Sequence, residues 1–190
     1  EGWRLSKASH LSGHFSYSAL FPVDIIPVES MSDTESLAFS HAIARQESEF
    51  RIDARSSADA LGLMQLLPRT AEAEADHLGL AYYPQLLTRD AGYNARLGIS
   101  YATRQLDRFD GSYVLALIAY NAGPRRASRW VERFGTPVGL NLEETIDWIE
   151  QIPFPETRNY VFRVLENYAV YRKQYGLEGS LEDILVRGYP

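Results

Sequence analysis

The sequence contains no cysteine, which excludes a disulfide framework, a thiolate metal site and a cysteine nucleophile. It also lacks long apolar runs. The strongest, Val114 to Tyr120, is far shorter than the roughly 20 residues that a helix needs to cross a bilayer, so no integral membrane segment is expected. Positive charge is not in excess, because 19 Lys and Arg stand against 25 Asp and Glu, a formal net charge of -6. Nucleic acid is therefore not expected as the main partner.

The N-terminus lacks the basic start and apolar core of a secretory signal, and it has no initiator Met. We therefore expect a mature form or a piece of a longer precursor. Residues 1–31 contain Pro22 and Pro27 and show no sustained helical period, which predicts an extended lead-in packed on the rest of the chain. Residues 32–190 are then long enough to form one folded domain.

Helical periodicity dominates the remaining sequence, and no strand alternation persists long enough to build a substantial sheet. Residues 50–67 break this pattern and predict a long loop or a small hairpin. The sequence thus predicts a mainly α fold with at most a small β-hairpin. The expected helices run from a capping box at Ser32-Asp33-Thr34-Glu35 to about Ser48, from Pro68 to near Gly79, from Asp90 to Gly111, from Tyr113 to Tyr120, from Pro124 to Phe134, from Asn141 to Glu150, from about Glu156 to Tyr175, and briefly after Ser180.

Glu47 lies near the end of the first predicted helix, immediately before the long loop. Its carboxyl group either overhangs a cleft or is an ordinary solvated acid, and spacing alone does not decide between the two. Glu49 lies about 200° further around a helix, so the two carboxylates face one site only if the helix ends between them. Asp53 and Asp59 in the loop are either a second carboxylate or common turn residues.

Three further clusters carry polar residues in unusual surroundings. Gln65 has apolar neighbours, so its amide either satisfies buried backbone groups or faces a cleft and binds a polar ligand. Asn121, at the end of the most apolar helix, is either part of a helix stop or part of a site. Glu156 begins a later helix, where the helix dipole alone would account for it.

Taken together, these clusters resemble the motifs of the soluble lytic transglycosylases, lysozyme-like enzymes that cleave bacterial peptidoglycan. The resemblance covers about residues 36 to 172. It implies a goose-type lysozyme-like α fold, peptidoglycan glycan strands as the partner, and a location in the periplasm or at the cell wall. The motifs, in order, are Glu47-Ser48, Gly62-Leu63-Met64-Gln65, Ala119-Tyr120-Asn121-Ala122-Gly123 and Glu156-Thr157-Arg158-Asn159-Tyr160-Val161.

The resemblance implies that Glu47 performs both proton transfers. It protonates the oxygen between N-acetylmuramic acid and N-acetylglucosamine and then accepts a proton from the muramoyl C6 hydroxyl, which attacks C1. The product is 1,6-anhydromuramic acid, no water is consumed, and no cofactor is required. A general acid at neutral pH needs a pKa above the usual value of about 4.3, so we expect Leu63, Met64 and Tyr120 to desolvate the carboxyl group.

The resemblance also implies a set of substrate-binding residues around Glu47. Ser56 matches a polar group beside the muramoyl unit, and Tyr120 matches an aromatic residue whose hydroxyl lies close to the catalytic carboxyl. Ser48 is expected to support the helix end, while Leu67 departs from the family pattern, which often has Met there. The full expected set is Ser56, Met64, Gln65, Thr70, Tyr120, Asn121 and Glu156.

Two alternatives stay open at this point: a hydrolytic lysozyme-like muramidase and a non-catalytic glycan-binding module. No metal is expected, because His10 and His14 lie in the irregular lead-in without a third ligand. One cationic strip also has two interpretations, a solvated helix face or a surface that contacts the carboxylates of peptidoglycan stems. It comprises Arg125, Arg126, Arg129 and Arg133.

Overall fold

Consecutive α-helices carry the fold of the computed structural model, which describes residues 20–31 and 33–187. None of the helices in these ranges combines the length and apolarity that crossing a bilayer requires. The helices are α1 (Thr34–Ser48), α2 (Pro68–His77), α3 (Ala91–Arg108), α4 (Tyr113–Ala122), α5 (Pro124–Phe134), α6 (Leu142–Glu150), α7 (Pro155–Gln174) and α8 (Leu181–Arg187), with short 3-10 helices at Val28–Ser30 and Pro84–Thr88.

Strand pairing is confined, within those ranges, to isolated antiparallel bridges that join Arg55 to Leu61 and Leu61 to Leu66. Both bridges lie inside the predicted loop between α1 and α2. The prediction of a mainly α fold with at most a small β-hairpin is therefore confirmed.

The start of α1 differs from the predicted capping box. Asp33 is the N-cap, and its carboxylate accepts a hydrogen bond of 2.7 Å from the backbone N–H of Ser36. Glu35 instead receives hydrogen bonds from Tyr168 and Arg172 on α7, because a partly buried ion pair is available there. Ser32, the expected cap, lies outside the described residues.

The core forms where α1 packs along α7 with α4 beside them. Helix α4 is buried from Tyr113 to Ala119, as expected for a helix that is apolar on all sides. On α1 the small side chains of Ala38 and Ala42, both fully buried, allow a close approach to α7. This packing brings the last turn of α1, the end of α4 and the first turns of α7 to the same region of the molecule.

The described part of the lead-in, residues 20–31, lies against α1 and α7. The guanidinium of Arg45 donates to the Leu20 carbonyl and lies 4.2 Å from the Phe21 ring centroid. Tyr171 donates to the Pro22 carbonyl, and Ile26 is buried. The division of the chain at residue 31 stays a prediction, and residues 1–19 lie outside the described ranges.

Candidate active site

Glu47 occupies the last turn of α1, which ends one residue later. Glu49 and Phe50 both have left-handed backbone conformations, with φ of 52° and 61°. Because the helix stops between Glu47 and Glu49, the chain changes direction there, leaving Glu49 exposed and Glu47 partly buried. Glu47 is thus the carboxylate at this helix end that faces the interior.

Ser48 supports this helix end, as expected from the sequence. Its side chain is 1% exposed, and its hydroxyl donates to the carbonyl oxygen of Leu63 at 2.7 Å. This hydrogen bond joins the end of α1 to the loop of residues 50–67, so the position of Glu47 is tied to that loop.

Asn94 on α3 fixes the same loop through its buried side-chain amide. Its Oδ1 accepts from the backbone N–H of Met64 at 2.8 Å, and its Nδ2 donates to the carbonyls of Leu61 and Leu87 at 3.0 and 2.9 Å. Gly62 lies in the same turn at φ 76°, where a Cβ atom would be only 1.8 Å from the Leu87 carbonyl oxygen. The turn therefore requires glycine at this position.

The Gln65 side chain fulfils one of the two roles weighed for it. Its Nε2 donates to the carbonyls of Gly62 and Ala54 at 2.8 and 3.3 Å, so the amide satisfies loop backbone groups. The residue adopts φ of 48° and stays partly exposed, which leaves part of its surface open toward a ligand. A contact between Gln65 and glycan remains a prediction.

Met64 lies below the surface of the site. Its side chain is fully buried and packs against Gly98, where a Cβ atom would lie 2.5 Å from the Met64 sulfur. Its backbone carbonyl accepts a 2.8 Å hydrogen bond from the Tyr120 hydroxyl. A contact between Met64 and glycan stays a prediction.

Tyr120 lies next to the catalytic candidate. Burial raises the pKa of its phenol well above the ordinary value of 10, and the charge of nearby Glu47 raises it further. The hydroxyl therefore remains protonated at neutral pH, held by the Met64 carbonyl. Its ring centroid is 5.3 Å from that of Tyr101, so the two rings pack against each other.

Tyr160, on the second turn of α7, is a site residue that the sequence analysis did not select. It is 5% exposed, and burial followed by the charge of Glu47 raises the pKa of its phenol well above 10. The hydroxyl is close enough to Glu47 to lower the pKa of that carboxyl group. Among the described residues the Tyr160 hydroxyl is buried without a hydrogen-bond partner, so it is available to donate to the Glu47 carboxylate.

The electrostatic state of Glu47 follows from this pocket. The pKa of Glu47 is raised from its ordinary value of 4.5 to about 7, and burial is the largest cause. The Tyr160 hydroxyl lowers this pKa, and the negative charge of Glu156 raises it. Near neutral pH the group is therefore divided between its acid and carboxylate forms. Such a carboxyl group is suited to donate a proton and then take one back.

The other predicted site residues lie on the surrounding elements. Asn121 accepts a 2.8 Å hydrogen bond from the buried Thr157 hydroxyl, which joins the end of α4 to the start of α7. Glu156 is exposed at the start of α7. Thr70 is half-buried in the first turn of α2, and Ser56 is exposed, its hydroxyl accepting from the backbone N–H groups of Ala58 and Ala60. Within the described chain, neither side chain hydrogen-bonds to Glu47.

The described ranges contain no group of three or more His, Cys, Asp or Glu side chains that could hold a metal ion. His10 and His14, the only pair with helical metal-ligand spacing noted in the sequence, lie outside those ranges.

Comparison with known sequences places these features in a family. The sequence model described as Transglycosylase SLT domain matches residues 28–140, and the model described as Soluble lytic transglycosylase helical domain matches residues 151–179. A soluble lytic murein transglycosylase of Salmonella typhimurium is 36% identical over 149 residues, which are 77% of this chain and 22% of that protein.

Solved structures agree with the sequence matches. The 70 kDa soluble lytic transglycosylase of Escherichia coli has a TM-score of 0.79 and 28% identity, covering 99% of this chain and 30% of that one. An inactive Glu-to-Gln mutant of the lytic transglycosylase Slt of Pseudomonas aeruginosa has a TM-score of 0.75 and 32% identity, covering 96% and 31%. The prediction of a lysozyme-like fold is thereby confirmed. The chain spans less than a third of the length of these relatives. Because the first sequence model matches more than half of its residues, the chain belongs to the transglycosylase SLT domain family.

Proposed function

We propose that this chain is a peptidoglycan lytic transglycosylase that cleaves the β-1,4 bond between N-acetylmuramic acid and N-acetylglucosamine without water. The observation that carries the proposal is the Glu47 carboxyl, held in a pocket that raises its pKa to about 7. The names of the relatives and the family membership of the chain support it. Glycan strands of this kind place its site of action in the periplasm or at the cell wall.

In the first step the protonated Glu47 carboxyl donates its proton to the glycosidic oxygen. The bond between that oxygen and the muramoyl C1 breaks, the N-acetylglucosamine unit leaves as an alcohol, and positive charge develops at C1. The carboxylate formed on Glu47 lies in a water-poor pocket beside this charge, where electrostatic stabilisation is stronger than in water.

In the second step the Glu47 carboxylate accepts the proton of the muramoyl C6 hydroxyl, whose oxygen bonds to C1. This closes the 1,6-anhydro ring and returns Glu47 to its protonated form. An internal hydroxyl has a large effective-concentration advantage over water. The same carboxyl serves both steps, so the reaction does not need the paired carboxylates of a two-carboxylate glycosidase.

Hydrolysis by a lysozyme-like muramidase is the second candidate, because Glu156 is a second carboxylate close enough to affect the pKa of Glu47. In that case Glu156 would activate a water molecule or stabilise the charged intermediate. Its exposure at the start of α7 favours the transglycosylase, since an exposed carboxylate is stabilised by solvent and by the helix dipole without any catalytic role.

Mass spectrometry of purified peptidoglycan sacculi digested by this chain distinguishes the candidates. We expect muropeptides ending in 1,6-anhydromuramic acid, which are one water molecule lighter than the products of hydrolysis. Reducing-end muramic acid as the main product would establish a muramidase. Binding to sacculi without any released fragment would instead establish a glycan-binding module.

The pH dependence of cleavage is expected to follow the protonated fraction of Glu47. Because the acid form starts the reaction and the group is restored within each turnover, kcat/KM should be level below about pH 6 and fall to half its plateau at about pH 7. Above about pH 8 it should decrease about tenfold per pH unit. Initial rates on soluble glycan strands across this range measure the profile. A bell-shaped profile with its maximum near pH 5 would contradict the single-carboxyl mechanism.

Two substitutions, Tyr160→Phe and Glu156→Gln, are expected to shift the pH at which kcat/KM falls on the alkaline side of the profile, called the alkaline limb. The two shifts should have opposite directions. Loss of the Tyr160 hydroxyl removes an interaction that lowers the pKa of Glu47, so the limb moves to higher pH. Loss of the Glu156 charge removes a repulsion that raises it, so the limb moves to lower pH. The measurement is the kcat/KM profile of each variant, scaled to its own plateau.

The matched control for these two variants is Glu166→Gln. Glu166 is an exposed residue of the same helix that pairs with Arg163, away from the pocket. Its replacement should leave the limb in place. Displacement of both test variants in the same direction would show that the two residues do not act on Glu47 as described.

A further inference from the structure

A hydrogen bond between two side chains joins the end of α4 to the first turn of α7. Thr157, which is 2% exposed, donates its hydroxyl proton to Oδ1 of Asn121 at 2.8 Å. Asn121 directly follows Tyr120, and Thr157 directly follows Glu156, two residues that interact electrostatically with Glu47. The hydrogen bond therefore lies beside the region that holds the Glu47 carboxyl group.

The backbone around Asn121 is held independently of this hydrogen bond. The N–H of Gly123 donates to the Ala119 carbonyl at 2.9 Å, and the Arg126 guanidinium donates to the Ala122 carbonyl at 2.8 Å. Both contacts satisfy carbonyl groups of the last turn of α4, so this helix end is closed. What remains to be set at Asn121 is the rotation of its side chain, which decides whether Oδ1 or Nδ2 faces α7.

The start of α7 favours the oxygen of the amide. A threonine hydroxyl can donate or accept, so by itself it pairs with either end of an amide. Helix α7 has 20 residues, and its N-cap, Phe154, makes no side-chain capping hydrogen bond. The first-turn N–H groups therefore carry partial positive charge, which attracts Oδ1 and repels the amino group. The hydroxyl of Thr157 then acts as the donor.

With Oδ1 turned toward α7, Nδ2 of Asn121 is left as a hydrogen-bond donor. Asn121 is partly exposed, and Nδ2 has no acceptor among the residues that the structure describes. A sugar hydroxyl can pair with either end of an amide, so a fixed orientation matters most for a group that only accepts. The acetamido carbonyl oxygen of a glycan strand is such a group.

We propose that Thr157 is a positioning residue, whose hydroxyl fixes the Asn121 amide so that Nδ2 donates to an acetamido carbonyl oxygen of the strand beside Glu47. The proposal rests on the proposed function and adds to it a buried residue that does not itself touch the substrate. Thr157 acts by preorganisation: without its hydroxyl, the amide rotates and part of the population presents Oδ1 to the strand.

A double-mutant cycle on strand affinity tests this role. Affinity is measured with soluble glycan strands in the Glu47→Gln background, so that cleavage does not disturb it. We expect Asn121→Ala to weaken binding about tenfold and Thr157→Val about fivefold, the range of a single hydrogen bond. If Thr157 acts through Asn121, the combined variant should bind within about twofold of Asn121→Ala alone. Losses that multiply, to about fiftyfold, would overturn the proposal.

The conservative variant and a matched control separate positioning from a general effect on packing. Thr157→Ser keeps the hydroxyl and should bind within about twofold of the parent chain. Thr145→Val is the control, because Thr145 is a fully buried threonine of α6 whose hydroxyl has no partner among the described residues. It should leave affinity unchanged. Should Thr157→Val fail to fold, Thr157→Ala takes its place in the cycle. A serine variant as weak as the valine variant would also overturn the proposal.

Because affinity is read without cleavage, the positioning role and the reaction are tested separately. Failure of the chain with Glu47 intact to cleave peptidoglycan, together with the expected coupling of Thr157 and Asn121 in binding, would refute the proposed function alone. Cleavage to anhydro products without that coupling would refute the positioning role alone.

Discussion

Replacing Glu47 with Gln is expected to lower kcat/KM on glycan strands by at least about a thousandfold. The amide has nearly the same shape and volume as the carboxyl, but it neither donates the proton that breaks the glycosidic bond nor accepts one from the C6 hydroxyl. Glycan affinity should stay within about twofold, because the shape of the pocket is kept. Release of soluble muropeptides and strand binding, measured on the same preparation, separate the two effects.

The control for this experiment is Glu49→Gln, two residues beyond and past the end of α1. Glu49 is exposed, so its replacement should leave cleavage within about twofold. Retention of more than about a tenth of the activity by the Glu47 variant would contradict the assignment of the reaction to this carboxyl group. The solved structure of the Pseudomonas aeruginosa relative is that of an inactive Glu-to-Gln mutant, so a substitution of this kind is compatible with folding in that protein.

A stability measurement provides an independent check on the pocket. The pKa of Glu47 is higher in the folded chain, about 7, than its ordinary 4.5, so the folded state binds the proton more tightly. Its contribution to the free energy of unfolding is fully present below about pH 4.5 and is lost as the pH rises through about 7. The Gln variant does not have this titration, so its melting temperature should decline less between about pH 6 and 8.

The sequence predicts Glu47 and Tyr120 as the centre of the proposed site because the signals that point to them are local. Glu47 stands at a recognisable helix end, and Tyr120 stands at the end of a helix whose apolar sequence requires burial. Tyr160 belongs to the motif that begins at Glu156, but its sequence position does not distinguish it from a core residue, since an aromatic residue at helical spacing is usually part of the core. A signal was available: it lies four residues after Glu156, so the two side chains share a face of one helix.

The conformation of the loop between α1 and α2 could not be read from the sequence. Phe50, Asp59 and Gln65 adopt positive φ angles there. Non-glycine residues rarely adopt such angles, so the sequence of this loop does not predict them. Such backbone conformations are held by tertiary contacts. The main anchor, Asn94, comes from a helix about 30 residues further along the chain, so no local pattern records the contact.

Asn94 did leave a weaker signal, because it is an amide on the apolar face of α3, next to Ala95 and four residues before Gly98. A polar side chain at such a position must find partners when it is buried. The predicted capping box at Glu35 failed for a related reason: a local pattern was overridden by partners on α7 that the sequence does not place nearby.

Asn94→Ala is therefore expected to have the second large effect. Its amide bonds to three buried backbone groups, on Leu61, Met64 and Leu87. The Leu61 carbonyl also accepts from the Leu66 N–H, so alanine removes the side-chain partner chiefly from the Met64 N–H and the Leu87 carbonyl. Each buried polar group left without a hydrogen bond costs about 1 to 3 kcal/mol, and water that enters recovers part of this cost. The free energy of unfolding should therefore fall by about 3 kcal/mol or more. Urea denaturation of the variant and the unmodified chain measures this difference.

Activity should fall with stability but for a separate reason. The loop that Asn94 holds carries the Met64 carbonyl, which positions the Tyr120 hydroxyl beside Glu47. When that anchor is lost, water enters the pocket and the pKa of Glu47 returns toward its ordinary value. The fraction of acid form at neutral pH then drops, so kcat/KM should decline by about a hundredfold even at temperatures where the variant is fully folded.

Arg96→Ala is the control on the same helix, because Arg96 is exposed and lies two residues beyond Asn94. It should leave both the unfolding free energy and the activity nearly unchanged. An Asn94→Ala chain that loses stability but keeps the alkaline limb of its pH profile near 7 would show that the loop anchor and the desolvation of Glu47 are independent. A limb displaced to lower pH would show that one buried amide on α3 maintains the proton affinity of the catalytic carboxyl.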